Sequence, residues 1–445
     1  MTHIAWKAYP EYKDSRIEWL GDIPAQCQVI PLKRVFDVQL GKMLQPAPAS
    51  AEDTSEPYLR AANIYWAGVD LSDVREMWFA PYEKEQYSLQ QGDLLISEGG
   101  DVGRSALWEG ELENCFIQNA INRVRSKGPH STRYLYYWMY TLKQNGYIDV
   151  FCSKATIAHF TAEKVERVQV PLLPVEEERA IVDFLDRETA KIDALLANKE
   201  RLIELLNEKR TALISQGVTR SLEPNLPMKP SATEWLGEIP AHWDVGLLKR
   251  SFDVQLGKML QSAPSTSEDT SEPYLRAANI SWQGADLSDV KEMWFSSYEK
   301  KQYALNEGDL LVSEGGDVGR SALWKGELQH CYIQNAINRV RDKGVHSTRF
   351  LYYWMYTLKH SGYIDAFCSR ATIAHFTAEK VERVHVALPP VAEERAIVDF
   401  LDRETAKIDG LTSKIGEAID KLREYRTALI SAAVTGKIDV REAAS

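Results

Sequence analysis

The twelve letters SEGGDVGRSALW run from Ser97 to Trp108 and recur without a change from Ser313 to Trp324. A shift of 216 lays the rest of the chain on itself as well. QLGKML at Gln39–Leu44 meets Gln255–Leu260, ATIAHFTAEKVERV at Ala155–Val168 meets Ala371–Val384, and LDRETAKID at Leu185–Asp193 meets Leu401–Asp409. No insertion or deletion interrupts the match from Ile17 to Thr219, and roughly four in five residues agree across Asp37–Glu176. A repeat this long is a duplicated domain, since solenoid repeats span only about 20–50 residues. Two units of one fold should relate by a pseudo-two-fold, as like subunits do.

Within one half the letters read as α+β. GDLLIS (Gly92–Ser97) and SALW (Ser105–Trp108) are short, apolar and turn-bounded, so they predict two strands joined by the EGGD loop. INRVR (Ile121–Arg125) alternates and predicts another strand. STRYLYYWMYTLK (Ser131–Lys143) opens on a capping residue and predicts a buried helix, with Tyr134, Tyr136, Tyr137, Trp138 and Tyr140 as core.

From Val175 to Val218 proline is absent and glycine waits until Gly217. Apolar residues return every four and three positions, at Ile181, Leu185, Ile192, Leu195, Leu202, Leu206 and Leu213. The second half repeats this at Ile397, Leu401, Ile408, Leu411, Ile415, Leu422, Tyr425 and Leu429. Such a heptad seam predicts two helices of about 40 residues, each about 60 Å long. A heptad helix ordinarily suggests a homodimer, but here the matching partner lies on the same chain. An antiparallel pair within the chain follows from the expected symmetry. The expected layout is a first α+β domain over 1–174 and a long helix over 175–219. A Pro-rich linker over 220–231, RSLEPNLPMKPS, leads to a second domain over 232–390, a second helix over 391–435 and a tail over 436–445.

The repeated glycine loop is not a nucleotide site. A phosphate loop needs G-x-x-x-x-G-K-[ST], yet the residue five before Gly103 is Glu98 and the one after it is Arg104. The dinucleotide pattern G-x-G-x-x-G is also missing. A tight hairpin, with glycines at positive φ, accounts for the letters. Arg104 and Arg320 are then free to reach a DNA phosphate. No hydrolase elbow, zinc-protease motif or Asn-Pro-Pro-aromatic methyltransferase motif occurs. Glu176, Glu177 and Glu178 open a helix, where acids suit the macrodipole. A reader or scaffold is expected, with chemistry elsewhere and no cofactor in this chain.

Five cysteines (Cys27, Cys115, Cys152, Cys331, Cys368) form no C-x-x-C pair, and His159 and His375 stand alone, so no metal site is expected. No apolar run is long enough for a membrane span, and the start lacks the apolar core of a signal peptide, which points to the cytoplasm. The net charge of −11 argues against coating DNA through bulk charge. Local readers remain open.

This layout resembles the specificity subunit of type I restriction–modification systems. The resemblance rests on EWLGDIP (Glu18–Pro24) and EWLGEIP (Glu234–Pro240), on GDLLISEGGDVGRSALW, and on the run from Ala155 through LDRETAKID to Asp193. NEKRTALISQGVT (Asn207–Thr219) and YRTALISAAVTGKID (Tyr425–Asp439) complete it. It implies two target-recognition domains, each followed by a long helix. It also implies double-stranded DNA as target and two methyltransferase subunits that use S-adenosylmethionine on adenine. Motor-nuclease subunits join for restriction. Targets are bipartite, and near-identical halves then predict a near-palindromic site.

Base edges are read by Arg, Lys, Asn and Gln, and phosphates by basic and hydroxyl groups. IQNAINRVR offers Gln118, Asn119 and Asn122, with Gln334, Asn335 and Asn338 in the second copy. YLRAANI offers Arg60 and Asn63, with Arg276 and Asn279. QLGKML offers Lys42 and Lys258 on a glycine turn. SKATIAHF offers Lys154 and Thr156, with Arg370 and Thr372. Asparagines equally satisfy turns inside a domain, and His159 equally sits in a core. The rival functions are a coiled-coil scaffold without DNA specificity and an enzyme with an unrecognised site.

Overall fold

The computed structural model describes residues 7–152, 159–231, 233, 235–368 and 375–441. The chain divides into two compact units. One comprises Met1–Lys199 with Glu417–Ser445, and the other Glu200–Gly416. Each unit therefore holds one α+β domain, the start of the helix that follows it, and the far end of the other half's helix.

The strand order in the first unit is 105–107, 94–97, 121–126, 36–40, all antiparallel. The predicted hairpin is present: Leu94–Ser97 pairs with Ser105–Leu107, setting Ser105 opposite Ile96. Gly100 and Gly103 take φ of +72° and +80°, the left-handed conformation that the turn needs. Ile121–Ser126 is the strand predicted from INRVR. A second sheet joins Thr54–Leu59 to Arg75–Phe79 antiparallel and to Phe116–Ile117 parallel. The second unit repeats both sheets.

The aromatic helix spans Thr132–Gln144. Its cap Ser131 accepts the Arg133 and Tyr134 N–H groups. Tyr134 and Trp138 are fully buried, and the Trp138 indole donates to Gln169 O at 3.0 Å. The helix is core, as its letters predict.

The long helices are Val175–Arg220 and Val391–Val434. They pair antiparallel within each unit. In the first, Arg426 donates to Asp193 at 2.8 Å and lies 5.3 Å from the Tyr140 ring centroid. In the second, Arg210 pairs with Asp409 and lies 5.8 Å from the Tyr356 ring. The seam departs from its predicted register in the middle. Leu195, Leu202, Leu411 and Tyr425 are exposed. Leu206 and Leu422 keep the expected register, and Leu196, Ile203 and Ile419 are covered beside them. A stripe chosen at the domain-covered ends, where several faces are buried, does not extend through a stretch where one narrow seam is covered. Of the Pro-rich segment, Arg220 ends the first helix and Met228–Pro230 forms a strand against Glu238–Pro240.

Burial holds the thiols of Cys115 and Cys331 up at about 12, which leaves them unreactive. Among the described residues no helix is long and apolar enough to cross a membrane.

Candidate nucleic-acid interface

Three loops meet at one end of the four-stranded sheet. Gly41 N–H donates to Ile121 O at 2.9 Å, Lys42 N–H to Ile117 O at 2.9 Å, and Asn119 N–H to Lys42 O at 2.9 Å. Glu98 N–H donates to Ala120 O at 2.9 Å and Phe160 N–H to Glu98 O at 2.8 Å. The second unit repeats this stitching, for instance Asn335 N–H to Lys258 O at 2.8 Å. Gly41 is thus not a turn glycine. A Cβ there would lie 2.3 Å from Gln118 O, so glycine is needed for backbone to approach backbone.

The candidate residues separate by what their side chains already do. Lys42 is 5% exposed and paired with Glu83, and Lys258 is paired with Glu299 in the same way. A buried, paired lysine is not offered to phosphate, which corrects the expectation drawn from QLGKML. Arg60 Nη2 donates to Asp73 Oδ2 at 2.6 Å, and Arg276 to Asp289 at 2.5 Å. The buried Asn63 amide donates to Asp70 O at 2.8 Å and accepts Arg60 N–H at 2.9 Å; Asn279 does the same. Asn122 and Asn338 are fully buried and donate to Phe160 O and Phe376 O. These asparagines satisfy backbone inside the domain, the alternative their letters left open.

Arg104 also works inward. Its Nη2 donates to Ala61 O at 2.8 Å, and its guanidinium lies 4.8 Å from the Tyr65 ring centroid. Arg320 keeps the bond, to Ala277 O at 2.9 Å. Each arginine ties the glycine hairpin to the 61–63 or 277–279 turn. Lys154, Thr156, Arg370 and Thr372 lie outside the described residues.

Gln118 and Asn119 remain. Both are half-buried, and their side-chain amides make no hydrogen bond to described residues. Gln334 donates to Asn335 Oδ1 at 2.7 Å, and both are half-buried. The loops thus present amide groups able to donate and accept, on backbone held from two sides. Beside them, burial raises the carboxyl of Glu98 above its usual range, which the neighbouring His159 opposes. Glu314 is shifted in the same sense, with His375 at 4.0 Å. Met43 and Leu44, apolar and without a signal for DNA contact in QLGKML, are exposed on the segment stitched to these loops.

The family model for the type I restriction modification DNA specificity domain matches twice, over residues 24–205 and 240–421. The chain belongs to that family. It is 21% identical to the type I restriction enzyme EcoKI specificity subunit of Escherichia coli, over 94% of this chain and 90% of that one. It is 22% identical to the StySPI specificity subunit of Salmonella potsdam, again over 94% and 90%. Among solved structures, one comes from work on complex assembly and conformational transition of the type I restriction–modification system. It matches with a TM-score of 0.66 at 19% identity, over 93% of this chain and 98% of that one. The HsdS subunit of Thermoanaerobacter tengcongensis matches with a TM-score of 0.55 at 17% identity, over 94% and 98%. These likenesses establish the fold. As a member of the specificity family the chain is a DNA-recognition subunit rather than the catalytic one, and the scaffold reading is set aside.

Proposed function

We propose that this specificity subunit reads a bipartite, near-palindromic site in double-stranded DNA. It positions two methyltransferase subunits there, which use S-adenosylmethionine to methylate adenine, and motor-nuclease subunits join for restriction in the cytoplasm. One observation carries this reading. The segments that form the candidate interface, QLGKML, SEGGDVGR and IQNAINRVR, are identical in the two halves and stitched by the same hydrogen bonds. Identical readers recognise identical half-sites, and a two-fold reader matches a two-fold target. In this reading Gln118, Asn119, Gln334 and Asn335 contact base edges, where amides pair best with adenine. The paired helices set the spacer. One base pair more or less turns a half-site by about 35° and removes much of the affinity.

The test is single-molecule sequencing of methylated bases in the host genome, with and without this gene. The expected result is loss of one bipartite adenine motif whose two halves are the same sequence on opposite strands. Methylation at a single asymmetric half-site would overturn the symmetric reading.

A further inference from the structure

Met43 and Leu44 are 74% and 51% exposed, and Met259 and Leu260 are 74% and 57% exposed. An exposed apolar residue is ordinary by itself. Three observations set this pair apart.

The first is its mounting. Gly41 is pressed against the Gln118 carbonyl, Lys42 is buried on Glu83, and Asn119 N–H holds Lys42 O. On the far side Gln45 O accepts the Trp78 N–H at 3.1 Å, and the Gln45 amide donates to Ala47 O and Asp53 Oδ2, each at 3.1 Å. Two apolar side chains are held out on backbone fixed before and after them. The second observation is constancy. QLGKMLQ is unchanged between the halves, whereas the following loop differs at Pro46/Ser262, Ala49/Ser265, Ser50/Thr266 and Ala51/Ser267. The third is position. The segment that carries the pair is hydrogen-bonded to the one that carries Gln118 and Asn119, whose side-chain amides bond to no described residue.

Size then selects the occupant. A stable protein partner covers about 800 Å² on each side, far more than two side chains present. A base-pair step offers an apolar surface of the right extent, and Met and Leu are among the side chains that wedge between bases. We infer that Met43–Leu44 and Met259–Leu260 insert between base pairs of the target DNA and open one step beside each set of reading amides. This rests on the DNA-recognition reading above. Wedging gives the subunit sequence preference at a step it does not hydrogen-bond, because steps differ in how easily they unstack.

The experiment uses the full chain co-purified with its methyltransferase subunits, on duplexes carrying its methylation motif. 2-Aminopurine replaces one base at a time in and beside each half-site. The expected result is a several-fold rise in fluorescence at one step per half-site. Replacing Met43, Leu44, Met259 and Leu260 together with Ala should abolish the rise and weaken binding about tenfold or more, with the salt dependence unchanged. Met43→Leu with Met259→Leu should restore both, which separates wedging from misfolding. Specific binding with no brightened step, or a quadruple variant that keeps both affinity and brightening, overturns the inference and leaves the recognition reading standing. The same holds if replacing thymine by uracil removes the affinity without any brightening, since the pair then reads a methyl group. A wild-type complex that binds no DNA specifically overturns the recognition reading as well.

Discussion

The two halves fill one equivalent core position with different side chains. In the first unit the Tyr134 hydroxyl donates to Pro171 O at 2.7 Å and to Val434 O at 3.0 Å. The second unit has Phe350 there, packed 6.4 Å from Trp243, where the first has Cys27. Trp243 is fully buried, and its indole donates to Glu393 at 3.1 Å. The difference follows the path of the chain. The first unit is closed by segments far apart in sequence: Asp439 N–H donates to Lys7 O at 2.7 Å and Tyr12 Oη to Gly436 O at 3.1 Å. The second is closed by continuous chain running on from its long helix. The first joint is tied by hydrogen bonds between distant segments, and the second by the larger Trp243 ring, whose indole shares Glu393 with the Ser221 hydroxyl. The stitched loops show no such divergence. Packing at the joints differs between the halves where the stitched loops do not.

The strongest way to break this comparison is to damage the face in one copy at a time. Gly41→Ala and Gly257→Ala each place a Cβ 2.3 Å from a carbonyl oxygen. Each should cost about 3 kcal/mol of stability, the upper end of overpacking, because backbone must move against backbone. The two losses should match within about 0.5 kcal/mol in denaturant unfolding, and unequal losses would end the claim that the faces are equivalent.

The joints should respond unequally. Phe350→Tyr adds a hydroxyl to a space that the Trp243 ring already fills, and should cost about 2 kcal/mol. Tyr134→Phe removes a shared hydrogen bond and should cost about 1 kcal/mol in the same unfolding measurement. If Phe350→Tyr proves neutral, the second joint has room for the hydroxyl and the contrast disappears.

A smaller effect sharpens the role of Arg104. Tyr65 stacks on it, whereas the second half carries Ser281 at the position equivalent to Tyr65. Ser281→Tyr should restore the stack and stabilise the second unit by about 0.5 kcal/mol. DNA affinity should not change, since the tie to Ala277 is already in place.

The mildest expectation concerns acid. In both copies hydrogen bonds hold the carboxyl of Asp53 or Asp269 below its usual range. For Asp53 the Ser50 hydroxyl leads, followed by the Ala49 N–H; for Asp269 the Ser265 N–H leads, followed by the Thr266 hydroxyl. A depressed carboxyl contributes stability above its unfolded value near 3.9, and that contribution is lost as the pH falls through the lower folded value. Amide exchange at Ala49 and Ser265 should therefore accelerate together below about pH 4, relative to the sheet. Acceleration in one copy alone would mean that the loop, which already differs in sequence, also differs in its anchoring.

Much of the fold was legible because its signals are local. Two glycines between apolar runs gave the hairpin, Ser131 gave a helix start, and the heptads gave two long helices. The middle of the seam was legible only in part, because the letters do not say where a domain stops covering a helix. The site was legible only in part. Lys42, Arg60 and Asn122 look like DNA contacts as isolated letters, but Glu83, Asp73 and the Phe160 carbonyl claim them. Those partners lie 41, 13 and 38 residues away, beyond what spacing reveals. Gln118 and Asn119 stayed candidates because no described residue engages their amides. Met43 and Leu44 carry no charge or hydrogen-bonding group that would mark them in the sequence.

The division of the chain also bears on the order in which it folds during synthesis. The second unit is one continuous span, Glu200–Gly416, but the first needs Glu417 and the residues after it. At about 5–20 residues per second, the ribosome takes roughly 10–40 s to make the intervening stretch. For that interval the first domain waits with the groove for its last helix open. Tyr140 and Tyr136 lack the guanidinium of Arg426, and Tyr134 lacks the Val434 carbonyl. The half made first is therefore the half finished last, and the growing chain is most exposed to chaperones and to mispairing with a neighbouring nascent copy during that wait.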